Sequence, residues 1–166
     1  MSDTAPALLE IYQGWEHYQE LLIKALAPLP LEQVALRPAP HLRSVGENAR
    51  HIIGARARWC QFVLALGAGD EAFAALGRWD DRNMPERSGA ELASGLRDSW
   101  QVLRAALAGW TPEDLAVTVR DSDPDPGDPS EFTRQWVIWH LIEHDLHHGG
   151  EISQLLGINH LAAPDL

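Results

Sequence analysis

The sequence predicts an all-α fold, and three observations support that prediction. Four stretches repeat apolar residues every three or four positions, as one face of an α-helix does. Each stretch is bounded by residues that cap or break helices. Valines and isoleucines are too scattered to build a sheet, and no stretch is a convincing strand. We therefore expect a four-helix bundle that occupies residues 1–166 as a single domain.

The first long helix is predicted near the N-terminal end of the chain. Asp3 and Thr4 are suitable caps for it, and its apolar repeat ends at about Ala27. The following segment, 28–40, contains four prolines, which exclude a long helix. Its portion L-P-L-E-Q-V is expected to form only a short turn.

A second long helix begins with the S-V-G-E sequence at 44–47. This sequence is a capping box, in which the serine and glutamate side chains satisfy backbone N–H groups at the helix start. The apolar repeat continues to about Leu66, and Gly67 is expected to stop the helix. Residues 70–77 are predicted to form a short helix, and the polar segment 78–87 is predicted to be a loop.

The third and fourth long helices follow. The third begins at a second capping box, 88–91, and ends at Gly109, after which T-P-E-D starts a short turn. The acidic, proline-rich segment 121–129 is interpreted as a solvated connection. Ser130 is the predicted cap of the fourth helix, which Gly157 is expected to end.

Composition excludes several classes of function. The chain has 13 basic and 24 acidic residues and a net charge of −11, which repels phosphate backbones. No apolar run approaches the roughly 18 residues that span a bilayer, and the N-terminus lacks the charged region of a signal peptide. The single cysteine, Cys60, excludes an internal disulfide framework. We expect a soluble cytoplasmic protein with neither a nucleic-acid nor a membrane partner.

The candidate functional residues are histidines on one face of the fourth helix. This helix carries four of the eight histidines, and His144 and His148 are one turn apart on its apolar face. His140 and Glu151 lie on the same face. Buried imidazoles need polar partners, and a metal ion satisfies two or three rings at once. The alternative is a polar network of His140, His144 and Glu151 with water.

Spacing alone leaves the pair of metal ligands open. Three histidines at i, i+4 and i+8 span roughly 12 Å, too far for one ion to hold both ends. Either His140–His144 or His144–His148 could therefore be the pair. The string H-L-I-E-H also matches the inverted zinc-protease motif, but only 22 residues remain after His144 to supply a third ligand. His147 is expected on a bundle flank or in a surface pair with Glu143.

These residues resemble the DinB/YfiT-like superfamily of metal-binding four-helix bundles. The resemblance rests on WHLIEHDLHHGGEISQLLG in the last helix and on the histidine of A-R-H-I-I-G-A in the second. It implies an up-down-down-up bundle in which His51, His144 and His148 bind a divalent metal ion, most often zinc or nickel. Water fills the remaining positions. Glu151 stands where many relatives carry glutamine.

The resemblance also implies functions. Several members are similar to thiol S-transferases, which join a low-molecular-weight thiol such as bacillithiol or mycothiol to a small electrophile, and many members are homodimers. A metal-dependent hydrolase is one alternative, and a non-catalytic, dimeric stress-response module with a structural metal is another. Three protein ligands leave an open coordination position, which favours the enzymes.

Further residues are assigned by helix geometry. Cys60 lies about 180° from His51 on the second helix, so we expect neither a ligand nor a nucleophile there. Glu47, Asn48 and Glu151 are the candidates to orient a ligand histidine through its second nitrogen. Trp139 lies on the outer side of the fourth helix, where an exposed tryptophan indicates a dimer contact.

Overall fold

Four long helical segments pack around one apolar core in a computed structural model that describes residues 7–165. The helices are α1 (Leu8–Ile11), α2 (Gln13–Leu26), α3 (Leu31–Val34), α4 (Val45–Arg58), α5 (Glu71–Leu76), α6 (Gly89–Gly109) and α7 (Arg134–Ile158). Helix α4 packs against both α6 and α7, and α2 packs against α6. Within residues 7–165, none of the helices combines the length and the apolar character that crossing a bilayer requires.

The first predicted helix is interrupted. Tyr12, with φ −99° and ψ 21°, leaves the helical conformation and separates α1 from α2. Helix α2 ends at Leu26, close to the predicted end, and the expected short turn is α3. Asp3 and Thr4, the predicted caps, lie outside the described residues.

The two capping boxes form as predicted. The Ser44 side chain accepts a hydrogen bond from the Glu47 backbone N–H, and the Glu47 side chain accepts one from the Ser44 backbone. Ser88 and Glu91 repeat this arrangement at the start of α6. After α4 the chain continues as one π-helical turn, Trp59–Val63, before Gly67 takes a φ of 69° at the predicted stop.

The prediction of no strand is wrong at one place. Strand β1 (Thr118–Arg120) pairs antiparallel with β2 (Glu131–Thr133), with Val119 opposite Phe132. The two strands have three residues each, too short for an alternating pattern to stand out in the sequence. Because β2 is extended, the cap of α7 is Thr133 and not Ser130, and its hydroxyl accepts from the Trp136 backbone N–H.

A buried ion pair connects the central helices. Arg56 of α4 donates to Asp145 of α7 with an Nη2–Oδ2 distance of 2.7 Å, and both side chains are fully buried. Trp15 of α2 donates its indole N–H to the same carboxylate at 2.6 Å, and Arg56 also donates to Gln19 at 2.6 Å. These bonds fix how α2, α4 and α7 lie against one another.

One glycine of α7 makes room for a side chain of α2. A Cβ at Gly149 would overlap the hydroxyl of Tyr18. Tyr18 is itself buried, and burial together with the nearby charge of Asp145 raises its pKa to about 12. The first glycine of the H-H-G-G-E sequence is thus a packing position between two helices.

Candidate metal centre

Three histidine rings from two helices meet at one place. His51 projects from α4, and His144 and His148 project from successive turns of α7. The ring centroids are 4.7 Å apart for His51 and His144, 4.8 Å for His51 and His148, and 4.6 Å for the α7 pair. One nitrogen from each ring lies within 4.8 Å of the other two. The three histidines predicted as ligands therefore lie together.

Two of the rings are hydrogen-bonded to carboxylates through their Nδ1 atoms. The Nδ1 of His51 lies 2.7 Å from an Asp80 oxygen, and the Nδ1 of His148 lies 2.7 Å from a Glu151 oxygen. An ionised carboxylate only accepts hydrogen bonds, so each Nδ1 is the protonated nitrogen. In the neutral form of each ring, the Nε2 lone pair is then free to bind a ligand.

Asp80 is kept ionised by its partners. Burial alone would raise the pKa of Asp80, but hydrogen bonds from His51 and Arg58 hold it well below its usual range. Arg58 contributes two of these bonds, with N–O distances of 2.6 and 3.0 Å. The chain Arg58–Asp80–His51 therefore fixes both the position and the tautomer of the His51 ring.

His144 is partly buried, whereas His148 is only 7% exposed. The Nδ1 of His144 is buried and has no hydrogen-bond partner in the described part of the chain. Burial, followed by the neighbouring His148 and His51, lowers the pKa of His144 to about 3. Burial also lowers the pKa of His148, although Glu151 acts in the opposite direction. His144 is therefore neutral near pH 7, in the form that binds metal ions.

Sequence reasoning identified only one of the two orienting carboxylates. Glu151 occupies the expected role, whereas Glu47 completes its capping box and pairs with Arg37 at 3.1 Å. Asn48 makes no contact with the three rings that would orient them, and its side-chain oxygen is buried without a partner among residues 7–165. Asp80 was missed because it lies in a loop 29 residues from His51. The one local signal is an acidic residue directly after a tryptophan in a polar segment, which is common in loops.

His140 lies outside the cluster. Its ring is 6.1 Å from that of His144 and stacks on Trp136 at 5.0 Å with an interplanar angle of 11°. Its Nδ1 lies 3.2 Å from a Glu143 oxygen. Of the two pairs that spacing left open, His144–His148 is therefore the one that meets His51.

His147 and Cys60 also lie apart from the three rings. The His147 side chain is 69% exposed, and its carboxylate neighbour is Glu151, at 3.8 Å. The expected pair with Glu143 does not form. Cys60 lies in the π-helical turn after α4 and is completely buried, and burial raises the pKa of its thiol to about 12. It is a thiol, and not a thiolate, at neutral pH.

A cavity of about 700 Å³ opens beside the cluster, with His51 and Asp80 in its wall. A second cavity, of about 410 Å³, lies next to Trp59 and the stacked rings of Phe132 and Trp136. The site therefore has space for a small molecule on its His51 side. Three imidazoles beside such a space have the chemistry of an open metal centre.

Comparison with known proteins relates this chain to DinB-like proteins in both sequence and fold. The family model of the DinB superfamily matches residues 15–152. The crystal structure of a DinB-like protein from Bacillus cereus ATCC 10987 superimposes with a TM-score of 0.71 at 24% identity, covering 93% of this chain and 94% of that one. A DinB-like protein from Bacillus subtilis gives 0.57 at 16% identity, covering 90% and 91%. These two likenesses concern the fold, and no curated protein matches the sequence.

Proposed function

The chain belongs to the DinB superfamily, and from that premise we propose that it is a divalent-metal-binding thiol S-transferase. His51, His144 and His148 hold the ion, with zinc or nickel as the expected metal. The substrates are a low-molecular-weight thiol, of the bacillithiol or mycothiol type, and a small electrophile. The observation that carries the proposal is the meeting of three imidazoles, two of them oriented by carboxylates.

The residues present fit such an ion. Imidazole nitrogens suit zinc and nickel, and metal-binding histidines usually donate their second N–H to a carboxylate or carbonyl. Asp80 and Glu151 provide this support for His51 and His148. His144 is a partly buried ring whose buried Nδ1 finds no partner within residues 7–165. An ion that binds the ring would offset part of the cost of burying it.

The reaction needs an activated thiol, a coordination position for it, room for the substrates and a fixed set of ligands. A metal ion held there would lower the pKa of a bound thiol and so supply a thiolate nucleophile. Three protein ligands leave a coordination position for that thiol. The cavity beside His51 admits the substrates. Arg58 and Asp80 keep the His51 ring fixed while substrates enter and products leave.

An external thiol is the proposed nucleophile, because the protein's own cysteine is unsuited to the role. Cys60 is fully buried, and its raised pKa keeps it protonated. The sulfur of the external thiol attacks the electrophilic carbon, the leaving group departs with the bonding electron pair, and the thiol proton passes to solvent.

The experiment is a conjugation screen on protein loaded with zinc or nickel, using several thiols and 1-chloro-2,4-dinitrobenzene as electrophile. We expect metal-dependent conjugation that is faster than the uncatalysed reaction in controls containing the metal ion and no protein. Bound metal with hydrolysis of test esters and no conjugation would indicate the hydrolase instead. Bound metal with neither activity would support a structural metal.

Three further proposals complete this assignment. The four long helices run up-down-down-up, the chain is cytoplasmic, and it forms a homodimer through the outer face of α7. Trp139, which is 59% exposed on that face, supports the dimer. Light scattering tests it: a monomer at micromolar concentration would contradict the dimer, and Trp139→Ser should weaken association.

A further inference from the structure

The cavity beside His51 gathers arginine side chains in an acidic protein. The chain has a net charge of −11 and only 13 lysines and arginines. Four of these line this one cavity, namely Arg37, Arg43, Arg50 and Arg82. Because His51 lines the same cavity, a molecule that reaches the metal centre from this side passes these guanidinium groups.

Carboxylates of the same cavity neutralise part of this charge. Glu47 pairs with Arg37 at 3.1 Å, and Glu86 lies 3.5 Å from Arg50. Asp80 is bound by His51 and by Arg58, an arginine outside the cavity.

The charge that is left is positive. Among the described residues, Arg43 and Arg82 form no salt bridge, and Asp81 is the one cavity carboxylate left to balance them. Because Asp80 is paired with Arg58 from outside the wall, the four lining arginines together with Arg58 exceed the four lining carboxylates by one. This surplus matches a singly charged anion better than a doubly charged phosphate.

Arg50 has unused capacity for such an anion. It is only 6% exposed, yet its contacts to the carbonyls of Trp79 and Met84 and to Glu86 are all long, at 3.4–3.5 Å. Its Nε is buried and has no partner in the described part of the chain. Buried guanidinium groups normally form short, charge-assisted bonds, and their forked geometry matches a carboxylate.

We propose that this cavity binds a carboxylate of the thiol substrate, with Arg50 at its floor and Arg43 at its rim. The inference rests on the proposed function, since it defines the chemical class of the thiol: a small thiol that carries a carboxylate group. Sulfur then lies towards the three histidines and the carboxylate lies towards Arg50. Arg50 and His51 both line this cavity, so one molecule bound there can reach both.

The test uses two thiols of equal size, 3-mercaptopropionate and the neutral 3-mercaptopropanamide. Cobalt-loaded protein is titrated with each, and thiol binding is followed by the absorption bands of the cobalt. We expect 3-mercaptopropionate to bind about tenfold more tightly or better, as charge-assisted hydrogen bonds predict. Arg50→Gln and Arg43→Gln should each reduce this preference, and Arg97→Gln, an exposed arginine of α6 away from the cavity, should not.

The outcomes that overturn the inference are distinct. Equal affinity for the two thiols contradicts it, as does a carboxylate preference that persists in Arg43→Gln, which would place the carboxylate on the metal. If Arg50→Gln does not fold, Arg43→Gln still decides, because Arg43 is exposed and has no salt bridge within residues 7–165.

A metal-free arm separates this inference from the proposed function. The same two thiols are titrated by calorimetry into metal-free protein and into the two arginine variants. A preference that depends on the arginines supports the carboxylate site even if the protein binds no metal. Absence of any preference in the metal-free and cobalt-loaded proteins contradicts the inference, whereas metal binding without conjugation contradicts only the proposed function.

Discussion

Helices α4 and α7 carry two polar clusters that differ in how completely the chain satisfies them. In the core, both oxygens of Asp145 accept hydrogen bonds from Arg56, and one also accepts from Trp15. In the three-histidine cluster, each ring is bound on one side at most. A cluster closed by its own chain stabilises one arrangement of helices, whereas a cluster left open has bonding capacity for a ligand.

The closed cluster also positions the open one. Arg56 follows His51 by five residues on α4, and Asp145 is the residue after His144 on α7. The ion pair therefore sets the relative translation of the two helices that brings the histidine rings to centroid distances of 4.6–4.8 Å. Each prediction below breaks one of these two clusters and measures whether the other responds.

The largest effect should come from opening the closed cluster. Arg56→Met leaves the Asp145 carboxylate buried without its counter-charge, so we expect the free energy of unfolding to fall by about 3–5 kcal/mol in urea denaturation. The double variant Arg56→Met/Asp145→Leu should recover part of this loss, because no charge remains buried. A loss below about 1 kcal/mol in the single variant would show that the pair is not the support described here.

Removing the central ring of the open cluster should abolish metal binding with a much smaller effect on stability. His144→Ala removes the histidine that lies one turn from His148 and faces His51, so we expect no bound metal by elemental analysis and no conjugation activity. Cys60→Ala is the control and should keep both. Loss of activity in Cys60→Ala with metal retained would make the protein's own thiol the nucleophile and contradict the proposed mechanism.

Asp80 tests the open cluster at one of the hydrogen bonds that the cluster does form, the bond to His51. Asp80→Asn removes the charge that orients the ring, and we expect the metal affinity to fall by roughly 10- to 100-fold in competition with a chelator. Asp81→Asn, one residue further and exposed, is the matched control. Equal affinities of the two variants would mean that Asp80 serves folding alone.

Acid should destabilise the metal-free protein through the open cluster. The pKa of His144 is about 3 in the folded protein and 6.5 for an ordinary histidine. Between these values the unfolded chain binds the proton and the folded chain does not, so the free energy of unfolding should fall as the pH drops from 6.5 towards 3. His144→Gln should flatten this dependence in denaturation curves at pH 7 and pH 5. An unchanged slope would assign the acid sensitivity to other groups.

The smallest effect is expected at the edge of the open cluster. His140→Ala removes a ring that stacks on Trp136 and bonds to Glu143, outside the three-histidine set. Metal content should therefore match that of the unaltered protein by elemental analysis. Loss of metal in this variant would revive the alternative pair His140–His144.

The sequence predicted correctly those features that depend on contacts between residues close together in the chain. The starts of α4 and α6 were correct because a capping box is a contact between residues three apart. The start of α7 was placed at Ser130 because pairing between β1 and β2 depends on residues far apart in the chain. The role of Asp80 was not predicted for the same reason, since 29 residues separate it from His51. The binding of an ion by the three histidines stays a prediction.

Gly149 shows that the candidate metal centre depends on the packing of the helices around it. Its missing side chain makes room for the Tyr18 hydroxyl, so the clearance between α2 and α7 depends on a residue that binds nothing. Tyr18 in turn borders the buried carboxylate that holds α7 against α4. Grafting the three histidines onto another helical bundle would transfer the ligands without the spacing that makes them meet. An engineered copy of the site therefore needs the contact between Tyr18 and Gly149 as well as the three imidazoles.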